Sequence, residues 1–513
     1  MFLDQAVGGL REPLTGRGWS RELVFHEYCR RVRHFQELGL RPADRAFLHY
    51  GNSLEFFVDL LAIWALGGCV VPIDQRLTAF EVETLARAAT PRFSIWRGSP
   101  DNEIGPTVAA LGVEVIETPP EGAGPAAPPE VPNGHLSLEA PALILFTSGT
   151  TGDPKGVVHT HRTLRARWLA LRQSLGVERF RRTLCLLPTH FGHGLICNCL
   201  FPWLSGNDLY VAPPFRADMI SQLGQLLDEE QITFMSSVPT LWRLALRTAA
   251  PPEAGTLQQV HCGSAPLSAE MWRDIQAWSG TSRVYNTYGI TETGSWVAGT
   301  TVPDFEPEDG FIGEGWGAVV RILHTRDTDV PPPLAEVCAP GVEGHVWLNT
   351  AALMTGYFGR DDLTDQVVAQ GWFLTGDIGL LDDRGLLYLR GREREEINKG
   401  GMKVHPGDVD SVIGRFAGVT DVCAFAYDEA LYGQDVGVAI VVEDPSERWL
   451  VELYGWTRQH LAEHKVPTRW YLVEEIPRTS RGKINRSVVA QECSELEPKR
   501  LQRLWRASDR SRG

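Results

Sequence analysis

Hydrophobic positions in the first part of the chain follow helical and strand periods in turn. Residues 20–40 carry apolar side chains at helical spacing, which predicts an amphipathic helix. Residues 46–50 predict a short strand, and the apolar stretch 56–73 predicts a buried helix that runs into a strand. Asp59 lies inside that stretch and argues against a membrane span. The alternation predicts a layered α/β domain.

A proline-rich segment at 119–132 has no apolar period, so we expect a surface loop or a linker. The α/β alternation then resumes, with strands expected at 142–146, 183–187 and 345–348 and helices at 219–229 and 238–248. A charged run at 391–396 precedes a compact unit with helices expected at 406–416 and 448–463 and strands at 422–427 and 435–443. We therefore predict an α/β protein with a large layered N-terminal domain over 1–391 and a small α+β C-terminal domain over 392–513.

Composition narrows the classes of function. The 513 residues carry a formal net charge of −15, which argues against nucleic acid as the main partner. Nine cysteines without a CxxC pair predict free thiols in a reducing compartment. The N-terminus lacks the features of a signal peptide, so we expect a cytoplasmic protein. Basic residues are 43 arginines and six lysines, which draws attention to each lysine.

An apolar strand at 143–146 opens onto a loop that is rich in glycine and hydroxyl groups and contains one lysine. Backbone N–H groups, hydroxyls and an ammonium suit a phosphate, so we interpret the loop as a phosphate site, with a flexible linker as the alternative. The spacing of its glycines is not that of a Walker A loop. The candidate phosphate-binding residues are Thr147, Ser148, Gly149, Thr150, Thr151, Gly152 and Lys155.

The segment FTSGTTGDPKGVVHTHRTL resembles the signature loop of the adenylate-forming superfamily, which includes acyl-CoA synthetases, nonribosomal adenylation domains and luciferases. Five further segments resemble the motifs of that superfamily in the same order. They are VHCGSAPL at 260–267, YNTYGITET at 285–293, GWFLTGD at 371–377, Gly391-Arg392, and PRTSRGKI at 477–484. The pattern is most similar to AMP-forming acyl-CoA synthetases.

The resemblance implies a nucleotide site for ATP. It places the β- and γ-phosphates on the loop at 147–155, the α-phosphate on Thr291 and Mg²⁺ on Glu292. A carboxylate is a suitable ligand for that hard cation. It also implies that Asp377 binds the ribose and that Arg392 reaches the ribose or a phosphate. The adenine would lie against residues of two motifs, namely Gly263, Ser264, Ala265, Asn286, Thr287 and Tyr288.

The same resemblance assigns roles near the C-terminus. Lys483 would bring its ammonium to the carboxylate and the α-phosphate, and a compact ammonium suits that position. Arg394 would be the hinge of a mobile C-terminal domain. Gly400 and Gly401 would face the thiol acceptor, coenzyme A, where the lack of side chains leaves room. Lys399 and Lys403 beside them either attract phosphate or form a solvated loop.

The acyl pocket corresponds to LPTHFGHGL at 187–195, where the aromatic residue and the histidine of the superfamily motif are exchanged. Amino-acid-activating relatives carry an aspartate where Phe191 stands, which argues against an α-amino acid substrate. His190 and His193 are interpreted as a polar or pH-sensitive pair. Val238, with Asn198 and Trp296, completes the candidate pocket walls.

We therefore predict an AMP-forming acyl-CoA synthetase that uses ATP, Mg²⁺ and coenzyme A to activate a non-amino carboxylic acid. The alternatives are a ligase that loads an acyl-carrier protein and an enzyme that performs mainly the thioester-forming half-reaction. A luciferase-type oxygenase and a catalytically silent nucleotide-binding homologue are less consistent with the motifs. The expected partners are the small acid and coenzyme A, and a homodimer stays open.

Overall fold

The structure of the chain is a computed structural model. It describes residues 7–98, 103–122, 137–147, 154–214, 216–301, 305–325, 332, 335–392, 397–442, 445–477, 484, 486–503 and 505. The chain forms two compact units. The first comprises residues 1–75, 89–146 and 156–393, and the second comprises residues 76–88, 147–155 and 394–513.

Two sheets organise the first unit. The smaller sheet has seven strands, mostly parallel, in the order Gly356–Tyr357, Lys155–Thr160, Pro141–Thr147, Cys69–Pro72, Arg45–Leu48, Phe93–Trp96 and Glu114–Glu117. The larger sheet has a parallel part and an antiparallel part that meet at Val284–Ile290. Its parallel part and N-terminal edge contain Leu10–Glu12, Arg17–Trp19, Arg182–Cys185, Asp208–Val211, Phe234–Ser237 and Gln259–Gly263. Its antiparallel part contains Ser295–Gly299, Phe311–Gly315, Val319–Leu323, Gly344–Asn349, Val368–Ala369, Trp372–Leu381 and Leu387–Arg392.

Helices of the first unit cover these sheets and begin at residues suited to cap them. Ser20 and Ser53 accept hydrogen bonds from the first turns of Arg21–Glu37 and Leu54–Ala65. Thr160 and Thr163 form a capping box at the start of His161–Leu175. The remaining helices are Ile104–Ala109, Phe201–Trp203, Ala217–Ile220, Leu223–Glu229, Pro239–Thr248, Ala269–Ser279 and Asp361–Thr364, and His193–Leu200 is a π-helix.

The second unit packs helices against a five-stranded sheet, which consists of Ile397–Lys399, Met402–Val404, Val419–Glu429, Gly433–Val442 and Arg469–Leu472. Its helices are Ala79–Ala89, Pro406–Ile413, Glu447–His460 and Arg486–Ser494. Val436, Val438 and Ile440 of the long hairpin form the centre of its apolar core. Helices and sheets in both units confirm the predicted α/β class.

Four expectations from the sequence concern this fold. The helical stretch expected at 219–229 is confirmed but interrupted, because the chain forms two short helices there and the Ser221 hydroxyl donates to the carbonyl of Asp218 at the break. All nine cysteines are buried and none forms a disulfide, as expected. No helix among the described residues is long and apolar enough to cross a membrane. Most of the proline-rich segment lies outside the described residues.

Candidate functional site

Two of the sequence motifs meet in the larger sheet of the first unit. The Tyr288 hydroxyl donates a hydrogen bond of 2.5 Å to Oδ2 of Asp377, and the two residues are 7% and 3% exposed. Tyr288 lies at a register shift in Val284–Ile290, and the Asp377 backbone N–H donates to the Thr375 hydroxyl. Residues 89 positions apart in the chain therefore share one polar site.

The neighbouring residues that are predicted to contact adenine lie partly in strands, where they stabilise the sheet, and partly in a loop. Asn286 donates to the carbonyl of Phe311 over 2.8 Å, and the Thr287 hydroxyl donates to the carbonyl of Cys262 over 3.3 Å. Both side chains are buried, and these bonds tie together adjacent parts of the sheet. Gly263 ends a strand where a Cβ atom would lie 2.3 Å from the Thr287 hydroxyl oxygen, so only glycine fits. Ser264 and Ala265 follow it, with Ser264 exposed at φ +64°.

The residues Thr291–Gly294, here called the 291–294 turn, carry the predicted α-phosphate and metal ligands. Nε2 of His159 donates to the carbonyl of Thr291 over 2.8 Å. The Met354 N–H donates to the carbonyl of Glu292, and the Tyr357 hydroxyl donates to its Oε1, both over 2.7 Å. Thr291 and Glu292 are half-buried. The Glu292 carboxylate therefore has a fixed position beside a neutral phenol.

Two residues that support this turn were missed by the sequence analysis. His159 is completely buried, and burial lowers its pKa to about 4, so it is neutral at pH 7. Arg167 is also completely buried, and its guanidinium donates to the carbonyl of Thr293 over 2.9 Å. An arginine on the same helical face as Leu164 and Leu171 is the sequence signal that could have identified it.

The candidate acyl-pocket residues have separate polar partners. Nε2 of His190 lies 3.3 Å from Oδ2 of Asp74, and the His190 ring contacts the Phe191 ring with centroids 4.5 Å apart. His193 begins the π-helix, a rare form that is frequent at functional sites. Val238 is buried and directly precedes the helix Pro239–Thr248.

His193 joins a loop and a strand through its imidazole. Nδ1 lies 2.7 Å from the Ser264 hydroxyl oxygen and Nε2 lies 2.7 Å from that of Ser236. Trp296 packs beside it with ring centroids 5.6 Å apart. The two histidines that the sequence suggested as a pair thus contact different groups, and His193 connects the candidate pocket segment to the loop predicted to contact adenine.

In the second unit, the candidate acceptor residues form a tight turn. Gly400 and Gly401 have φ of +66° and +86°, which glycine adopts without strain. The Gly401 N–H donates to Oδ1 of Asn398 over 2.8 Å. Nζ of Lys399 lies 2.5 Å from Oδ1 of Asp435, and their side chains are 9% and 6% exposed. The interpretation of Lys399 as part of a solvated loop is therefore wrong, because its side chain is buried, and its pairing with Asp435 argues against the attraction of phosphate.

Several predicted site residues lie outside the described residues, namely Ser148, Gly149, Thr150, Thr151, Gly152, Arg394 and Lys483. The backbone of Arg392 pairs with that of Asp377, but its side chain is also outside them. Thr147 donates from its hydroxyl to the carbonyl of Lys155 over 3.5 Å, and Lys155 is buried.

Curated relatives similar to the chain are CoA ligases for different acids. It is 28% identical to a long-chain fatty-acid–CoA ligase of Mycobacterium tuberculosis over 475 residues, covering 90% of each chain. It is 28% identical to a feruloyl-CoA synthase of Amycolatopsis sp, covering 90% of this chain and 92% of the relative. A probable CoA ligase of Humulus lupulus is 27% identical, and the match covers 88% of this chain and 87% of the relative.

Solved structures show the same fold. The o-succinylbenzoate CoA synthetase of Bacillus subtilis gives a TM-score of 0.82 at 20% identity, covering 97% of both chains. The amide bond synthetase of Marinactinospora thermotolerans gives a TM-score of 0.81 at 22% identity, and the match covers 96% of this chain and 98% of the other. The family model of AMP-binding enzymes matches residues 16–358, and the model of their C-terminal domain matches residues 408–483. The chain therefore belongs to the AMP-binding enzyme family, which confirms the resemblance to adenylate-forming enzymes.

Proposed function

We propose that this enzyme is an AMP-forming acyl-CoA synthetase that activates a non-amino carboxylic acid as its acyl-adenylate and transfers the acyl group to coenzyme A. The observation that carries the proposal is the contact between Tyr288 and Asp377, which joins two motifs of the superfamily in one polar site. The match to CoA ligases over nine-tenths of the chain supports the choice of acceptor.

Adenylation brings a carboxylate to the α-phosphorus of ATP, and the two anions repel each other. A carboxylate oxygen forms the new bond to phosphorus and pyrophosphate leaves. Asp377 would accept from the ribose hydroxyls, while the loop at 147–155, with Lys155, would hold the β- and γ-phosphates. Thr291 would donate to the α-phosphate and Lys483 would bring an ammonium to the reacting groups. These residues supply orientation and local positive charge in a protein of net charge −15.

Glu292 fits the role of a magnesium ligand, because its carboxylate is half-buried and its position is fixed by Tyr357. Mg²⁺ prefers oxygen ligands and is commonly bound by one or two carboxylates together with substrate phosphates. When bound there, it would neutralise charge on the phosphates.

In the second step, the coenzyme A sulfur attacks the acyl carbonyl carbon, the thiol proton is lost and AMP leaves. Gly400 and Gly401 would face the pantetheine arm, with Arg394 as the hinge that presents them. Lys399 does not enter this account, since Asp435 already pairs with its ammonium. Phe191, in the place of an aspartate, favours an acid without an α-ammonium group. His190, His193 and Val238 would line the acyl pocket.

The test measures both half-reactions with the full chain. ATP–pyrophosphate exchange is followed with aryl, alicyclic and fatty acids, and CoA transfer is followed separately from synthetic acyl-adenylates. We expect both activities with at least one acid. Exchange without CoA transfer would favour another acceptor such as a carrier protein, and transfer without exchange would favour a thioester-forming enzyme. No acyl-CoA from any free acid or adenylate would refute the proposal.

Lys483→Arg makes the test more specific, because it keeps the positive charge but replaces a compact ammonium with a broad, planar guanidinium. We expect exchange to fall by about 100-fold, as for loss of one preorganised transition-state contact, while transfer from acyl-adenylate persists. Lys499→Arg is the matched control. Lys499 exchanges backbone hydrogen bonds with Trp470, so its side chain is not required for them. Unchanged exchange in Lys483→Arg would contradict the assigned role.

A further inference from the structure

The 291–294 turn is held through each of its four carbonyl groups. His159 binds the carbonyl of Thr291 and the Met354 N–H binds that of Glu292. Arg167 binds the carbonyl of Thr293, and the Cys197 thiol donates to that of Gly294 over 3.5 Å. Each contact comes from a different place in the chain, so the backbone position of the turn is fixed by its surroundings.

The turn also requires such support because of its own geometry. Gly294 and Ser295 both have left-handed backbone angles, φ +73° and +71°. Glycine tolerates that region, but a serine there is strained and persists where neighbouring contacts determine the conformation. Cβ of Arg167 lies 3.4 Å from the position that a Gly294 Cβ would occupy, so the arginine stem packs closely against this end of the turn.

Arg167 differs from an ordinary buried arginine, because its described partners are neutral. Besides Thr293, its guanidinium donates to the carbonyl of Trp316 over 2.7 Å and to the Thr350 hydroxyl over 3.3 Å. The Thr350 hydroxyl in turn donates to the carbonyl of Gly317 over 2.7 Å. Burial lowers the pKa of Arg167 to about 10, which leaves it cationic at pH 7.

Burying a cation without a carboxylate is costly, and a purely structural role would be served by an apolar residue. A planar guanidinium can donate to several carbonyl groups in fixed directions, which an apolar side chain cannot do. One of these carbonyls belongs to Thr293, which immediately follows Thr291 and Glu292 in the chain. We infer that Arg167 is a positioning residue that sets the 291–294 turn for recognition of the nucleotide α-phosphate.

This inference rests on the proposed role of Thr291, and its test needs no knowledge of the acid. The affinities of AMP and adenosine are measured by calorimetry, because the two ligands differ only in the α-phosphate. The wild-type protein should bind AMP more tightly than adenosine. In Arg167→Lys, the ratio of the two affinities should fall by about tenfold, as for loss of one charge-assisted phosphate contact, while adenosine affinity stays within about twofold.

Arg31→Lys is the matched control, because Arg31 is equally buried and pairs with Glu27 and Asp59 instead of the turn. Its variant should keep the wild-type ratio whatever happens to its melting temperature. If Arg167→Lys does not fold, Thr350→Val replaces it as the test. Valine has the shape of threonine but lacks the hydroxyl that accepts from the Arg167 guanidinium. The ratio of AMP affinity to adenosine affinity should then fall by about twofold to threefold.

An unchanged ratio in Arg167→Lys, or in Thr350→Val where the lysine variant is unfolded, would overturn the inference, as would an equal fall in Arg31→Lys. A wild-type protein that binds adenosine but shows no preference for AMP would refute the role of Thr291 itself. Failure to bind either ligand would refute the proposed nucleotide site. The three failures are therefore distinct.

Discussion

The 291–294 turn in the first unit and the glycine turn at 400–401 in the second are supported by buried charge in different ways. Beside the first, neutral His159 and cationic Arg167 bind carbonyl groups, and Glu292 contacts a phenol. Beside the second, Lys399 and Asp435 neutralise each other. The first turn thus presents a charged side chain, whereas the second presents backbone whose shape depends on glycine. Substitutions should distinguish the role of buried charge from the role of glycine in these two turns.

The largest effect is expected from breaking the ion pair in the second unit. Lys399→Met leaves the Asp435 carboxylate buried without its cation and should lower the free energy of unfolding by about 3–5 kcal/mol. Adding Asp435→Asn should restore most of the lost stability, because the buried charge is removed and Oδ1 of the asparagine can still accept from the Val436 N–H. Urea unfolding of the full chain measures both variants.

The same double variant tests whether Lys399 serves a ligand. If the lysine is structural, the KM for coenzyme A should stay within about twofold of the wild-type value, since a loss below about 0.4 kcal/mol is expected for a residue that makes no ligand contact. A tenfold rise in a folded double variant would show that its charge attracts phosphate after all.

Acid should weaken the support of the 291–294 turn. The pKa of His159 is about 4 in the folded chain and near 6.5 when unfolded, so between these values only the unfolded chain binds the proton. The free energy of unfolding therefore falls as pH drops from 6.5 to 4, by about 3 kcal/mol from this residue. Urea unfolding at several pH values should show a smaller pH dependence in His159→Gln.

His324→Gln provides the comparison for that measurement, because His324 is an exposed histidine of the same unit. Its variant should retain the wild-type pH dependence. An unaltered pH dependence in His159→Gln would mean that another group controls the loss of stability in acid. Burial also lowers the pKa of His161 to about 4, so some dependence should remain after His159 is replaced.

The smallest effect is expected at the glycine turn. In Gly400→Ala, a Cβ would lie 3.2 Å from Cδ1 of Tyr432 and φ is +66°, at a cost of about 1–2 kcal/mol. CoA transfer from acyl-adenylate should fall by about tenfold, with ATP–pyrophosphate exchange unchanged. Gly385→Ala has similar backbone strain at φ +78° and open space, and should affect neither step. Equal losses in both steps would contradict a role confined to transfer.

The sequence predicted the parts of the fold that depend on local pattern, such as the strand at Pro141–Thr147. The superfamily motifs assigned Tyr288 and Asp377 to one nucleotide site, and the structure adds that their side chains are in contact. It did not predict the break at Ser221, where a side-chain hydrogen bond competes with the helix.

The sequence also did not predict which polar residues far apart in the chain are in contact. Lys399 and Asp435 are 36 positions apart, and nothing in the local pattern indicates that they pair. Arg167 contacts carbonyls more than 120 positions away, and its functional neighbourhood exists only after the sheets assemble. Motifs thus indicate groups that are expected to face a ligand, while the groups that hold them in place are found only in the tertiary structure.

The burial of all nine cysteines has a practical consequence for measuring this enzyme. Burial raises the pKa of Cys69 and Cys262 to about 12, so their reactive thiolate form is scarce at neutral pH. A chromogenic disulfide reagent added to the native protein should therefore react with free coenzyme A far faster than with the protein. Disappearance of the cofactor thiol can then report turnover directly, with a low background from the enzyme.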